Sequence, residues 1–208
     1  MSATEMKNVV ASVLARLRNH SKSSGAPFQQ VLQQYAIERF LYRVSKSKHA
    51  QSVILKGALL LKTIGIPTAR PTMDIDMLRK GRADQDSLVV LVKDCATLEV
   101  EADGLTFLAD SVFSELITKD SEYKGTRILM DARMDNVRLK IQVDFGVGDA
   151  NSRMKDFYDV WICSQHLDFN GTILLQAIDA TFKNRETVVP DGEFEALTTG
   201  FVEGHRVQ

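Results

Sequence analysis

Apolar residues recur along this chain with two different periods, and the change of period divides it. Residues 4–19, TEMKNVVASVLARLRN, place Met6, Val9, Val10, Val13, Leu14 and Leu17 on one helical face, with Thr4 at the capping position. SKSSGAP at 21–27 is a small-residue hinge. Helical spacing resumes through Phe28, Val31, Leu32, Tyr35, Ile37, Phe40, Leu41 and Val44. Over residues 53–78 an apolar run enters Lys56-Gly57-Ala58, and a leucine-rich segment at 56–64 reads as a short helix stopped by Gly65 and Pro67. Then Met73, Ile75 and Met77 alternate with Asp74 and Asp76, the period of a strand with its apolar side anchored in a core.

Farther on, a charged turn at 79–84 leads to a helix at 84–98 with Leu88, Val89, Val92, Cys95 and Ala96 inward. Residues 105–117 read as a short strand followed by a helical turn. Two segments of strand composition, 123–134 and 136–149, flank an Asp135-Asn136 turn, and the second alternates Val137, Leu139, Ile141 and Val143 with Arg138, Lys140, Gln142 and Asp144. Helical periodicity returns with Met154, Phe157, Tyr158, Trp161 and Ile162, the aromatic pair read as core, and again from residue 171; the tail after 187 has only weak periodicity. The pattern predicts an α+β fold in three stretches: an N-terminal helical segment at 1–50, an α/β core with a mixed sheet at 51–150, and a C-terminal helical segment at 151–208.

Composition changes this picture little. With 208 residues, 44% hydrophobic and 25% charged, the chain is an ordinary globular one. Lys plus Arg number 26 against 27 Asp plus Glu, so any basic surface must be local; Arg43, Lys46, Lys48, Arg79, Lys80 and Arg82 are the cations available for an RNA path. Two cysteines, Cys95 and Cys163, form neither a metal spacing nor a disulfide framework, and Cys95 has the setting of a core thiol. No signal peptide and no run of about 20 apolar residues is present, so a cytoplasmic protein without a membrane span is expected.

The candidate chemistry lies in Asp74, Asp76 and Asp144. Carboxylates sharing one strand face repel one another, and a divalent cation is the simplest arrangement that makes them favourable. On two strands, the three would hold one or two Mg²⁺ or Mn²⁺ ions, leaving positions for phosphate oxygens. An ordinary solvated strand face would give the same Asp-x-Asp. The glycine-opened helix before it adds the elements of a triphosphate cradle. Lys155 offers a cation that would offset phosphate charge, although a structural salt bridge explains it equally well. His166 is read as sitting near a helix C-terminus.

VILKGALLL, then RPTMDIDML, then LKIQVDFGVGD and RMKDFYDVW, in this order and spacing, resemble the AbiEii/AbiGii-type nucleotidyltransferase toxins, over roughly residues 28–190. The resemblance implies a DNA-polymerase-β-like nucleotidyltransferase fold and a protein antitoxin as partner. It further implies that Gly57, flanked by Lys56 and Ala58, opens the nucleotide-binding helix, and that Asp74 and Asp76 bind metal. Asp144 would be the third carboxylate, orienting the attacking hydroxyl or acting as its base; Arg70 and Thr72 would flank the site, and Lys155 would face the cleft.

The expected activity is metal-dependent transfer of NMP from an NTP to a tRNA or protein acceptor. Three departures qualify it. Ala58 supplies no hydroxyl, so phosphate contact there falls to backbone N–H. Only Ala150, Asn151 and Ser152 separate Asp149 from Arg153, where relatives that resemble this chain carry a longer insert with a cleft-facing Glu and Lys. The chain stops soon after FEALTTGF. Both shortenings suggest a compact or degenerate member, and hence a second reading as a catalytically impaired remnant that binds an antitoxin. A metal-dependent glycosyltransferase also uses Asp-x-Asp, but would call for a larger, doubly wound chain.

Overall fold

The computed structural model describes residues 3–66, 72–119, 123–146 and 154–184, together with Val188. Contacts divide the chain into two units, Met1–Ile162 and Cys163–Gln208. In the first, helices α1 (Ala3–Ser24) and α2 (Phe28–Lys46) precede strand β1 (Val53–Leu55), helix α3 (Gly57–Thr63), strand β2 (Ile75–Arg79) and helix α4 (Gln85–Ala96). Strands β3 (Thr106–Phe107), β4 (Phe113–Lys119), β5 (Tyr123–Met134) and β6 (Val137–Phe145) follow, then helix α5 (Met154–His166), which runs on into the second unit. The second unit also holds α6 (Gly171–Asn184). No helix among the described residues is long and apolar enough to cross a membrane.

The six strands form one mixed sheet in the order β1-β2-β6-β5-β3, with β4 also pairing with β5. Among the described residues only β2 and β6 run parallel; β1–β2, β5–β6, β3–β5 and β4–β5 are antiparallel. One face is apolar because the alternation of each strand falls in phase. Ile75 and Met77 of β2, Ile128, Met130, Ala132 and Met134 of β5, and Leu139, Ile141, Val143 and Phe145 of β6 are all buried. Leu32, Ile37 and Phe40 of α2 and Leu88, Leu91, Val92 and Cys95 of α4 complete the same core. The opposite face is left to Asp76, Arg127, Asp131, Lys140, Gln142 and Asp144.

A buried ion pair ties α2 to the loop before β3. Asp103 accepts from Arg43 Nη1 at 2.6 Å and from Arg39 Nε at 2.8 Å, with the Asp103 and Arg43 side chains 6% and 7% exposed. Burial pushes the Asp103 carboxyl up, yet Arg43, Arg39 and the Leu105 N–H together hold it below the usual carboxylate value. Arg43 also lies over the Phe107 ring.

Several expectations are corrected. Arg43 belongs to this core ion pair and not to a surface RNA path. Residues 113–119 form a strand where a helical turn was expected, because the long β5 offers seven residues of antiparallel pairing that the ambiguous local sequence does not announce. Met73 is 50% exposed: pairing of β2 with β6 opens at Ile75, so Met73 precedes the sheet and anchors nothing. The hinge shortens, since α1 continues to Ser24 and breaks at Gly25. Trp161 is 55% exposed, and the described part of α5 buries Ile162 instead. The helix expected at 84–98 is present as α4, the described part of the helix expected from residue 171 as α6, and the hairpin about Asp135 is present with Asp135 at φ 52. The tail beyond Val188 lies outside the described residues.

Candidate functional site

The central register places the carboxylates. In the parallel pair, Asp76 stands opposite Asp144, so both occupy the polar face of neighbouring strands. Asp74 sits two residues earlier, in a bend just before β2. Its carboxylate accepts a hydrogen bond from the Thr72 hydroxyl at 2.9 Å. Pairing continues outward from Asp144 to Arg127 of β5, and from Arg127 to Glu115 of β4. The sheet therefore carries one transverse row of charges: Asp76, Asp144, Arg127, Glu115.

Gly57 abuts this row. Its φ of 64° lies in the left-handed region, and a Cβ placed on it would stand 2.6 Å from Asp76 Oδ2. The bare Cα is what allows the start of α3 to lie against the Asp76 carboxylate. The same junction is fixed by the Lys56 N–H donating to the Asp76 carbonyl at 2.8 Å. The Lys56 ammonium reaches across to the end of β6, where it lies 3.8 Å from the position a Cβ would take on Gly146. Ala58 is buried at the first turn of α3.

Asp144 is 15% exposed and is gripped from both sides. Arg127 Nε donates to Oδ1 at 2.9 Å and Nη2 to Oδ2 at 2.8 Å, a two-pronged guanidinium–carboxylate pair. Gln142 Nε2 adds a third donor to Oδ2 at 3.2 Å. The Asp144 partner raises the Arg127 guanidinium above its ordinary value, with Glu115 and Asp74 adding to the effect. Asp74 is thus close enough for its charge to be felt at Arg127.

Sequence reasoning missed Arg127 and Gln142. Gln142 had a signal, being two residues before Asp144 on the same strand face. Arg127 had none, because only the hairpin register brings it to Asp144. Arg70 lies outside the described residues, as do the side chains of Lys155 and Asp156, although the Lys155 backbone is in the first turn of α5. The 147–153 link also lies outside them.

This chain matches the model of a family described as nucleotidyl transferase AbiEii toxin, type IV toxin–antitoxin system, over residues 39–151 and 147–205. The chain belongs to that family. The two matched segments meet at residues 147–151, between β6 and α5. Neither a curated protein nor a solved structure matches the chain.

A divalent metal is implied by nucleotidyl transfer, and the donor chemistry suits one: hard carboxylate oxygens from two adjacent parallel strands, with Gly57 keeping a side chain off Asp76. Among the described residues, however, no three His, Cys, Asp or Glu side chains are gathered as a metal-holding group. Asp144 has both oxygens turned to Arg127. The residues fit a cation, provided that Asp144 is shared with this guanidinium.

Proposed function

We propose that this chain is a metal-dependent nucleotidyltransferase of the toxin type, moving NMP from an NTP to a hydroxyl on a tRNA or protein acceptor. The observation that carries the reading is the register of Asp76 against Asp144 on adjacent parallel strands, in a chain that belongs to the AbiEii family. Asp74 and Asp76 would hold Mg²⁺ or Mn²⁺, with Asp144 as the third carboxylate. When bound, the ion would supply charge neutralisation at the phosphates and Lewis-acid polarisation of the reacting oxygens.

The other roles belong to the chain's own groups. Thr72 fixes the Asp74 carboxylate through its hydroxyl, and Gly57 sets the start of α3 against Asp76. Lys56, whose ammonium lies over the end of β6, would counter phosphate charge beside Gly57 and Ala58. Asp144, paired with Arg127, would orient the acceptor hydroxyl or act as its base. Arg70 and Lys155 are assigned to the triphosphate side of the site. The physiological partner in this reading is a protein antitoxin, and the compartment is the cytoplasm.

The test is incubation with Mg²⁺, each labelled NTP and total RNA, beside the Asp74→Ala/Asp76→Ala double variant. Label on RNA or on protein that disappears in the variant supports transfer. A second reading is that of a catalytically impaired remnant that engages an antitoxin, drawn from the short sequence between Asp149 and Arg153. It predicts no label and antitoxin binding that the double variant leaves unchanged.

A further inference from the structure

The charge row across the sheet contains its own cation. Arg127 stands in register between Glu115 and Asp144, hydrogen-bonded to Asp144 through both prongs and 3.7 Å from Glu115 through Nη1. A carboxylate offers about four lone-pair positions. The guanidinium occupies one on each oxygen of Asp144 and Gln142 a second on Oδ2, which leaves a single position, on Oδ1, for any other partner. The pair is only partly screened, with Asp144 15% and Arg127 30% exposed.

We propose that Arg127 is an internal counter-cation that competes with the divalent ion for Asp144, and so sets the metal affinity of the site. This rests on the proposed assignment of Asp74, Asp76 and Asp144 as the metal carboxylates. Asp144 is committed to Arg127 through both oxygens, and among the described residues no three carboxylates are gathered as a metal-holding group. A divalent ion reaches its full set of protein oxygens only as the guanidinium gives up part of its grip. Glu115, 47% exposed and already beside Nη1, is the acceptor to which Arg127 leans when it does so. Arg127 is a positioning residue on this account: it acts through Asp144 and touches neither substrate nor ion.

The competition predicts a gain of binding on removing a side chain, which structural damage does not produce. Mn²⁺ alone is titrated into the full chain, and the free ion is counted by its paramagnetic resonance signal. Arg127→Gln is expected to bind Mn²⁺ about tenfold more tightly than the wild type, the change that ~1.4 kcal/mol produces. Arg127→Lys, which keeps the charge but cannot span both oxygens, falls between them. Glu115→Gln, which leaves Arg127 to Asp144 alone, binds about twofold more weakly, in keeping with a half-exposed pair. Equal or weaker binding by a cooperatively melting Arg127→Gln overturns the proposal. Should that variant not fold, Glu115→Gln binding as tightly as the wild type or more so overturns it. If no form binds Mn²⁺, the competition and the metal site fall together. Tighter binding by Arg127→Gln in a protein that never transfers label leaves the competition standing and removes the transferase reading alone.

Discussion

Gly57→Ala probes the closest approach in the site. The substitution asks an L-residue to hold φ 64°, which costs roughly 1–2 kcal/mol. It also places a methyl 2.6 Å from Asp76 Oδ2, so the carboxylate must leave its present rotamer, at roughly 0.5–1.5 kcal/mol. Restricting the unfolded chain returns roughly 0.4–1 kcal/mol, for a net loss of roughly 0.5–3 kcal/mol. At about 2–4 °C per kcal/mol for a chain of this size, the midpoint of thermal unfolding should fall by several degrees. The functional effect should be larger, since a shift of about 1 Å at a positioned group can cost about a hundredfold in rate. Gly65→Ala is the matched control: its φ is 82° and an added Cβ would meet nothing within 4 Å. Gly65→Ala should therefore melt lower by less than Gly57→Ala, sharing only the positive-φ cost, and only Gly57→Ala should lose Mn²⁺ binding and label transfer. Equal Mn²⁺ affinity in Gly57→Ala and Gly65→Ala would show that Gly57 has no role in placing Asp76.

Other consequences follow from the same contacts. Asp103→Ala should destabilise the fold by about 3–5 kcal/mol in urea denaturation, because it leaves the Arg43 guanidinium buried without its counter-ion; a loss under about 1 kcal/mol would mean that the pair is solvated. The Asp103 carboxyl is held below its ordinary value, so its contribution is complete above the unfolded carboxylate range near pH ~4 and disappears as pH falls through the lower folded value. Acid unfolding of Asp103→Asn should accordingly lack part of the steepness seen in the wild type. Burial raises the Cys95 thiol, so alkylation at neutral pH should track global unfolding, and rapid labelling of the native protein would contradict its place in the core. Asp144→Asn should bind Mn²⁺ more weakly and also lower stability, since Arg127 loses its principal acceptor.

Much of this protein is written locally. The helices α1, α2, α4 and α5, the β5–β6 hairpin and the alternation that puts Asp76 and Asp144 on polar strand faces are all set by period, turn chemistry and capping, as with Asp84, whose carboxylate accepts from the Ser87 N–H at the start of α4. The order of the motifs was also sufficient to place the chain in its family. Properties that depend on pairing between distant segments were not legible. Strand β4 exists because β5 is long enough to receive it. The cation Arg43 reads as surface charge until the loop carrying Asp103 closes over it, and burial then makes the ion pair obligatory. Arg127 is one of many arginines in the sequence; only the register of β5 on β6 turns it toward Asp144. Sequence alone thus determined that Asp76 and Asp144 each lie on the polar side of its own strand, because that is a matter of alternation along the strand. Tertiary structure decided what those carboxylates meet, since register across strands depends on pairing that no local window contains.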